Sequence, residues 1–241
     1  MTGRFAPSPT GDLHVGNLRT AVASWLDAKV RSEAWLVRFE DLDDVVARRE
    51  TGRHQLDALA SLGLVPDEKP LWQSEVTARY DRAIDRLVSQ GRTYPCFCSR
   101  RQIREAVAAA AQAPNGPAGA PYPGTCSRLS DSERDRRSGD RAPALRFRAD
   151  ETVVSFDDSN SGSHCFGVDD FVIRRNDGVA AYNLVVVVDD ASQGVSTVVR
   201  ADDLLSSTAR QIMVAEALGL GSFRYAHVPL VVNTEGDRLT K

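Results

Sequence analysis

Residues 4–21, RFAPSPTGDLHVGNLRTA, constrain this chain more than any other stretch. Phe5 and Ala6 open an apolar segment. Pro7 and Pro9 fix φ and lack a backbone N–H, so no helix can form until they are passed. Gly11 then leads into His14-Val15-Gly16-Asn17 and a run of helical periodicity. The stretch reads as a strand, a tight loop and a helix N-terminus. A helix begun this way presents unpaired N–H groups and the positive end of its dipole, so it holds a phosphate without further basic residues. Gly16 lets a ligand approach the backbone closely. His14 is by default a solvated or capping residue; beside a nucleotide, its ring would donate to a phosphoryl oxygen as negative charge builds there.

The block resembles the opening of the glutamate-type class I aminoacyl-tRNA synthetases, RFAPSPTG followed by a His-x-Gly-x element, here HVGN. That resemblance implies an α/β fold: a Rossmann-type parallel nucleotide-binding sheet with helices on both faces, split by a zinc-bearing α+β insertion. It also implies sites for ATP, against His14, Gly16 and Asn17, and for glutamate, against Arg4, Phe5, Ala6, Pro7 and Ser8.

A chain of 241 residues exceeds one minimal domain and falls short of a synthetase with a separate anticodon-binding domain. The expected organisation is a first half of the catalytic core at 1–92, an insertion at 93–170 and a second half at 171–241, with no anticodon-binding domain. The formal net charge of −3 argues against wrapping nucleic acid over a wide surface, although a local basic face could dock a small RNA element. No run is long and apolar enough to span a membrane, and the N-terminus lacks a signal-like apolar run. A cytoplasmic monomer is expected. Four cysteines, two of them one residue apart, do not resemble a secreted disulfide framework.

Leu18, Ala21, Val22, Trp25, Leu26 and Val30 recur at helical spacing and predict one buried helix face. AWLVRF, residues 34–39, reads as a strand that ends in Glu40-Asp41-Leu42-Asp43-Asp44. Ligands of doubly wound sheets sit beyond the carboxyl ends of strands, which puts Glu40 where chemistry happens. Asp43 and Asp44 read as solvated. By resemblance the segment is the family's Arg-x-Glu-Asp block, whose carboxylate, here Glu40, takes the substrate ammonium. Two amphipathic helices follow, about 46–62 and one through Val76, Tyr80, Ala83, Ile84 and Leu87, with Gly63 and Pro66 between them. His54 reads as a surface residue.

TYPCFCSRRQIREA sets Cys96 and Cys98 on either side of Phe97, and an Ala/Pro/Gly-rich linker at 108–121 ends at Tyr122 and Cys126. Cysteines at i and i+2 reach one ion across a tight turn, whereas a disulfide between them would close a strained ring. Spacing alone leaves a thiolate metal site and buried, unliganded cysteines both open. The CxC followed at a distance by Tyr-x-x-x-Cys resembles the zinc element of glutamyl-queuosine tRNA(Asp) synthetases, in which a tyrosine occupies one ligand position. It implies one zinc on Cys96, Cys98, Tyr122 and Cys126. Cys165, next to His164, reads as a strand residue.

From Ser127 to Arg141 the mixed charge predicts an exposed helix and loop. ALRFR, TVVSF and FVIRR read as short strands closing the insertion, with Asn176-Asp177-Gly178 as a hairpin turn. In the second half, the β-branched run from Leu184 to Val188 predicts a strand buried on both faces of a parallel sheet, with Tyr182 at its entrance. VSTVVRADDLL predicts another buried strand that delivers Arg200 at its carboxyl end and starts a helix through Leu204, Leu205, Ile212, Val214 and Leu218. By resemblance, Tyr182 and Arg200 line the amino-acid pocket with Arg4. Glutamate's two carboxylates and one ammonium require a guanidinium in a bidentate pair and a carboxylate for the amine. A buried arginine also rejects glutamine, whose amide leaves the guanidinium charge uncompensated.

Residues 236–241, GDRLTK, resemble the second ATP motif of class I synthetases, and the motif stops at Lys241. A lysine there neutralises departing pyrophosphate. The resemblance implies that glutamate attacks the α-phosphate of Mg²⁺-bound ATP, with His14, Gly16 and Lys241 catalytic, and that glutamyl adenylate then passes glutamate to queuosine in the anticodon of tRNA(Asp). The alternatives are a truncated ordinary glutamyl-tRNA synthetase charging tRNA(Glu) and a non-catalytic nucleotide- or RNA-binding paralogue.

Overall fold

The computed structural model describes residues 1–43, 45–99, 101–105 and 122–234. Asp44, the 108–121 linker and the GDRLTK segment with Lys241 lie outside the described residues. Strand β1 (Thr2–Phe5) runs into the proline loop, and helix α1 (Val15–Val30) begins where the sequence first permits it. Strand β2 (Ala34–Phe39), helix α2 (Arg49–Ser61), the short strand β3 (Leu71–Trp72) and helix α3 (Ala78–Ser89) follow. β4 (Thr93–Cys96), helix α4 (Asp131–Asp140) and β5 (Ala144–Phe147) lead to β6 (Val153–Asp158), β7 (Gly162–Gly167) and β8 (Phe171–Arg174). The second half holds α5 (Tyr182–Ser192), β9 (Val195–Ala201), α6 (Leu205–Leu218) and β10 (Arg224–Val228).

A seven-stranded sheet has the order β3-β2-β1-β9-β10-β6-β7, parallel throughout except for the antiparallel edge strand β7. Alternate side chains cover both of its faces: Val199, Ala226 and Val228 pack with Ala23 of α1, while Val198 and Tyr225 pack with Ile212 of α6. A separate antiparallel sheet, β4-β5-β8, carries Cys96 at the end of β4. No described helix is long and apolar enough to cross a membrane.

Three expectations are corrected. The buried side of α1 consists of the small residues Ala21, Ser24 and Ala28, with Leu18 and Trp25 partly covered, whereas Val22, Leu26 and Val30 are exposed. Gly3 explains the choice: a Cβ there would lie 2.8 Å from Ala28 Cβ, so β1 and α1 approach too closely for large side chains. The run Leu184–Val188 is helix, not strand. Leu184, Val185, Val186 and Val187 are all buried in one cluster with α3 and α6 residues, and burial on every side erases the amphipathic period that would have revealed a helix. Finally, TVVSF does not close the insertion: β6 pairs with β10 and extends the large sheet, carrying β7 outside it.

Candidate active site

The chain steps from β1 outward through β2 to β3, then returns to the other side of β1 as β9 and β10. The crevice at the carboxyl ends of β1 and β9 is therefore the switch point of the sheet, where open α/β folds bind ligands. Arg4 from β1, Glu40 just after β2, Arg200 from β9 and Tyr182 opening α5 come together here. Tyr182 is 37% exposed, and burial of its hydroxyl, with Glu40 close by, pushes its pKa up against the opposing pull of Arg200 and Arg4. All four groups thus act on one small volume.

Two guanidiniums meet one carboxylate beneath this volume. Arg4 donates from Nε to Asp190 Oδ1 at 3.0 Å and from Nη2 to Oδ2 at 3.3 Å, and its Nη1 donates to the Val199 carbonyl at 3.0 Å. Arg38, fully buried, donates from Nη1 to Asp190 Oδ1 at 2.6 Å and to Gln193 Oε1 at 3.0 Å. Burial disfavours charge on Asp190, but Arg38 and Arg4 outweigh it and hold the carboxyl below its ordinary range. Asp189, next in the same helix, accepts from Tyr80, Gln73 and Arg79. Above this network Glu40 is pushed up to about 7, chiefly by burial, with Arg38 and Arg4 pulling it back. A carboxylate so poorly solvated gains more than an exposed one from a cationic ligand.

Arg200 is held differently. It donates from Nε to His227 Nε2 at 3.0 Å, from Nη1 to Gln211 Oε1 at 2.7 Å, and from Nη2 to Thr208 Oγ1 at 2.8 Å and the Leu204 carbonyl at 3.4 Å. Among the described residues, one Nη1 proton of Arg200 and one proton on each Nη of Arg4 are not committed to a partner.

The loop leading to α1 is tied from behind. Gln55 of α2 donates to the carbonyls of Ser8 (3.2 Å) and Gly11 (2.7 Å), and the Glu40 N–H donates to the Pro7 carbonyl at 3.0 Å. His14 caps the helix: the Gly16 N–H donates to its Nδ1 at 3.1 Å, and its own N–H donates to Asn17 Oδ1 at 3.2 Å. Accepting at Nδ1 puts the neutral ring's proton on Nε2, where it is a donor. A Cβ on Gly16 would come within 2.9 Å of His14 Cε1. Ser8 is exposed and Ala6 partly so, whereas Phe5 is buried in the core with Trp35 and Val37, so its side chain is packing.

In the insertion, Cys96, Cys98 and Cys126 bring their sulfurs within 4.8 Å of one another, and Cys98 Sγ lies 3.5 Å from Cys126 Sγ. Tyr122 Oη is 3.3 Å from Cys96 Sγ and 3.7 Å from Cys98 Sγ. Sulfurs on a tetrahedral zinc would sit about 3.8 Å apart, so the donor set fits that ion. Arg146 stacks over the Tyr122 ring at 3.7 Å. Burial raises the Cys96 thiol pKa, but the hydrogen bonds from Tyr122 and Arg146 outweigh it and bring it below the usual value. Cys165 lies exposed in β7, and His54 is a surface residue of α2.

Asp158, Asp189, Asp190, Gln211 and His227 had no role in the sequence reading, and Arg38 entered it only as the first position of the Arg-x-Glu-Asp block. A charged residue inside the apolar run AWLVRF, and two aspartates closing LVVVVDD, were the available signals. Neither signal names its partner.

Residues 1–241 match the family described as tRNA synthetases class I (E and Q), catalytic domain. Among curated relatives, the glutamyl-Q tRNA(Asp) synthetase of Nocardia farcinica is 52% identical over 240 residues, covering 99% of this chain and 75% of the relative. The protein of the same name from Ralstonia nicotianae is 47% identical, covering 99% and 76%. Among solved structures, a glutamate–tRNA synthetase from Elizabethkingia anophelis superposes with a TM-score of 0.87 at 27% identity, covering the whole of this chain and 52% of that one. The chain therefore spans about half the length of that solved synthetase.

Proposed function

The chain belongs to the class I tRNA synthetase family for glutamate and glutamine, and from that premise we propose that it activates L-glutamate with ATP and transfers it to the queuosine base in the anticodon of tRNA(Asp). One observation carries the first step: Arg4, Glu40, Tyr182 and Arg200 converge at the switch point with the complementary charges that glutamate needs. Glu40 receives the ammonium. Arg200 and Arg4 share the side-chain carboxylate, with Tyr182 across the pocket and the backbone of Phe5, Ala6, Pro7 and Ser8 along its edge. A glutamate α-carboxylate oxygen then attacks the α-phosphorus, and the bond to the bridging oxygen breaks, releasing pyrophosphate with its electron pair. No protein nucleophile takes part. The α1 N-terminus, with Gly16 and Asn17, cradles the phosphates, His14 Nε2–H donates to the phosphoryl oxygen, and Lys241 and Mg²⁺ arriving with ATP offset the charge on the leaving group.

Cys96, Cys98, Tyr122 and Cys126 would hold a zinc ion, which would staple the segments around β4 and α4 together and supply structure rather than chemistry. That Tyr-containing donor set and the names of the relatives favour queuosine over the 3′ end of tRNA(Glu). The test uses labelled glutamate, ATP and purified tRNAs. Label on queuosine-containing tRNA(Asp), and none on queuosine-free tRNA(Asp) or on tRNA(Glu), is expected. Label on tRNA(Glu) alone would replace this reading with an ordinary glutamyl-tRNA synthetase.

A further inference from the structure

We propose that Asp158 and His227 are positioning residues that set the orientation of Arg200 for glutamate. The inference rests on the reading of Arg200 as a glutamate ligand given above. His227 stands directly beside Arg200 in the parallel register of β10 and β9. Asp158, at the end of β6, lies behind it, with Oδ2 2.7 Å from His227 Nδ1. The order is thus Asp158, His227, Arg200, drawn from three adjacent strands, and all three side chains are buried.

Proton positions follow from the chemistry. Arginine stays protonated, so its Nε–H is a donor and His227 Nε2, 3.0 Å away, is the acceptor. The ring proton therefore sits on Nδ1 and is given to Asp158. Asp158 is itself held still by the backbone N–H groups of Asn160, Ser161 and His227 and by the Ser161 hydroxyl. It can accept only one tautomer of His227, and that tautomer can accept only one edge of Arg200. With Nε committed, Gln211 and Thr208 fix the rotation of the guanidinium, and the remaining Nη1 proton has one direction.

A ring without an acceptor, or in the opposite tautomer, would set an N–H or C–H against the Nε–H. Arg200 would then turn to recover a partner, and its substrate-facing proton would turn with it. The ATP subsite, built on the β1–α1 loop, does not share these bonds.

The test compares glutamate-dependent ATP–pyrophosphate exchange, run with and without tRNA(Asp), in the wild type, Arg200→Ala, His227→Phe, His227→Gln and Asp158→Asn. His227→Phe, which removes the acceptor, is expected to raise the glutamate KM about tenfold or more and to leave the ATP KM within about twofold. Asp158→Asn, close to isosteric, should raise the glutamate KM in the same selective way by releasing the tautomer. His227→Gln carries an acceptor at the Nε2 position and should recover most of the loss. Folded variants with an unchanged glutamate KM, or with both KM values rising together, would overturn the positioning role. If the Phe variant does not fold, Asp158→Asn decides by the same criterion. A wild type without glutamate-dependent exchange, or an Arg200→Ala variant with normal glutamate KM, would instead remove the pocket assignment itself.

Discussion

Glu40 sits at the end of a buried strand with two arginines beneath it, and still its carboxyl is pushed up to about 7 because burial outweighs them. Only the ionised form attracts the substrate ammonium. Below pH about 7 the free enzyme carries a protonated Glu40, so kcat/KM for glutamate should fall about tenfold per pH unit there and level off above it. Glu40→Gln should lower the plateau and abolish the inflection; an unchanged inflection would assign the titration to another group. Gly16 makes a second prediction. An added Cβ would meet the His14 ring at 2.9 and 3.0 Å. Gly16→Ala should therefore shift the imidazole and slow exchange at saturating substrates by roughly 10- to 100-fold, with the glutamate KM unmoved. Stopped-flow or steady-state exchange rates would check it. At this scale Arg4, His14, Glu40, Tyr182 and Arg200 were singled out by resemblance to a family motif, Glu40 and Arg200 also by their strand-end positions, whereas Tyr182 was placed at the entrance of a strand that is helix. Their partners, Asp190 and His227, were not legible, because a side chain's sequence neighbourhood says nothing about a carboxylate 186 residues away.

Elements were read well where one signal dominated. AWLVRF became β2 over the same six residues, buried on both faces of a parallel sheet. The same reasoning failed at LVVVV, because a short apolar run fits a buried helix as well as a buried strand. Valine's helix penalty, at most about 0.7 kcal/mol per residue, is smaller than the roughly 1.5–3 kcal/mol that each fully buried apolar side chain contributes. Packing of α5 between α3 and α6 therefore decided its structure. Leu184, with no exposed surface in that cluster, is the residue to test. Leu184→Ala should destabilise the protein by about 2–5 kcal/mol in urea or guanidinium unfolding. A loss below about 1 kcal/mol would mean the helix is not part of the core.

For the whole molecule, the cysteine cluster joins elements that no local pattern connects: β4 and the turn after it supply Cys96 and Cys98, and the segment before α4 supplies Tyr122 and Cys126. Elemental analysis of protein purified without chelator should find about one zinc per chain. Its removal should lower Tm and increase protease cleavage around 93–147, and added zinc should restore both. Metal-free protein with unaltered stability would leave a cluster of buried thiols.

The opening strand, proline loop and helix, the strand at AWLVRF, the helix after Arg200 and the cysteine spacing were all determined by the sequence itself. Each depends on residues within a few positions of one another, where periodicity, proline geometry and capping act. Tertiary structure alone decided that LVVVV is helical, that β6 and β7 extend the large sheet, that Asp190 binds both Arg4 and Arg38, and that His227 and Asp158 stand behind Arg200. Those outcomes depend on burial and on ion pairing between segments far apart in the chain, and such interactions gain their strength only once folding has excluded water from around them.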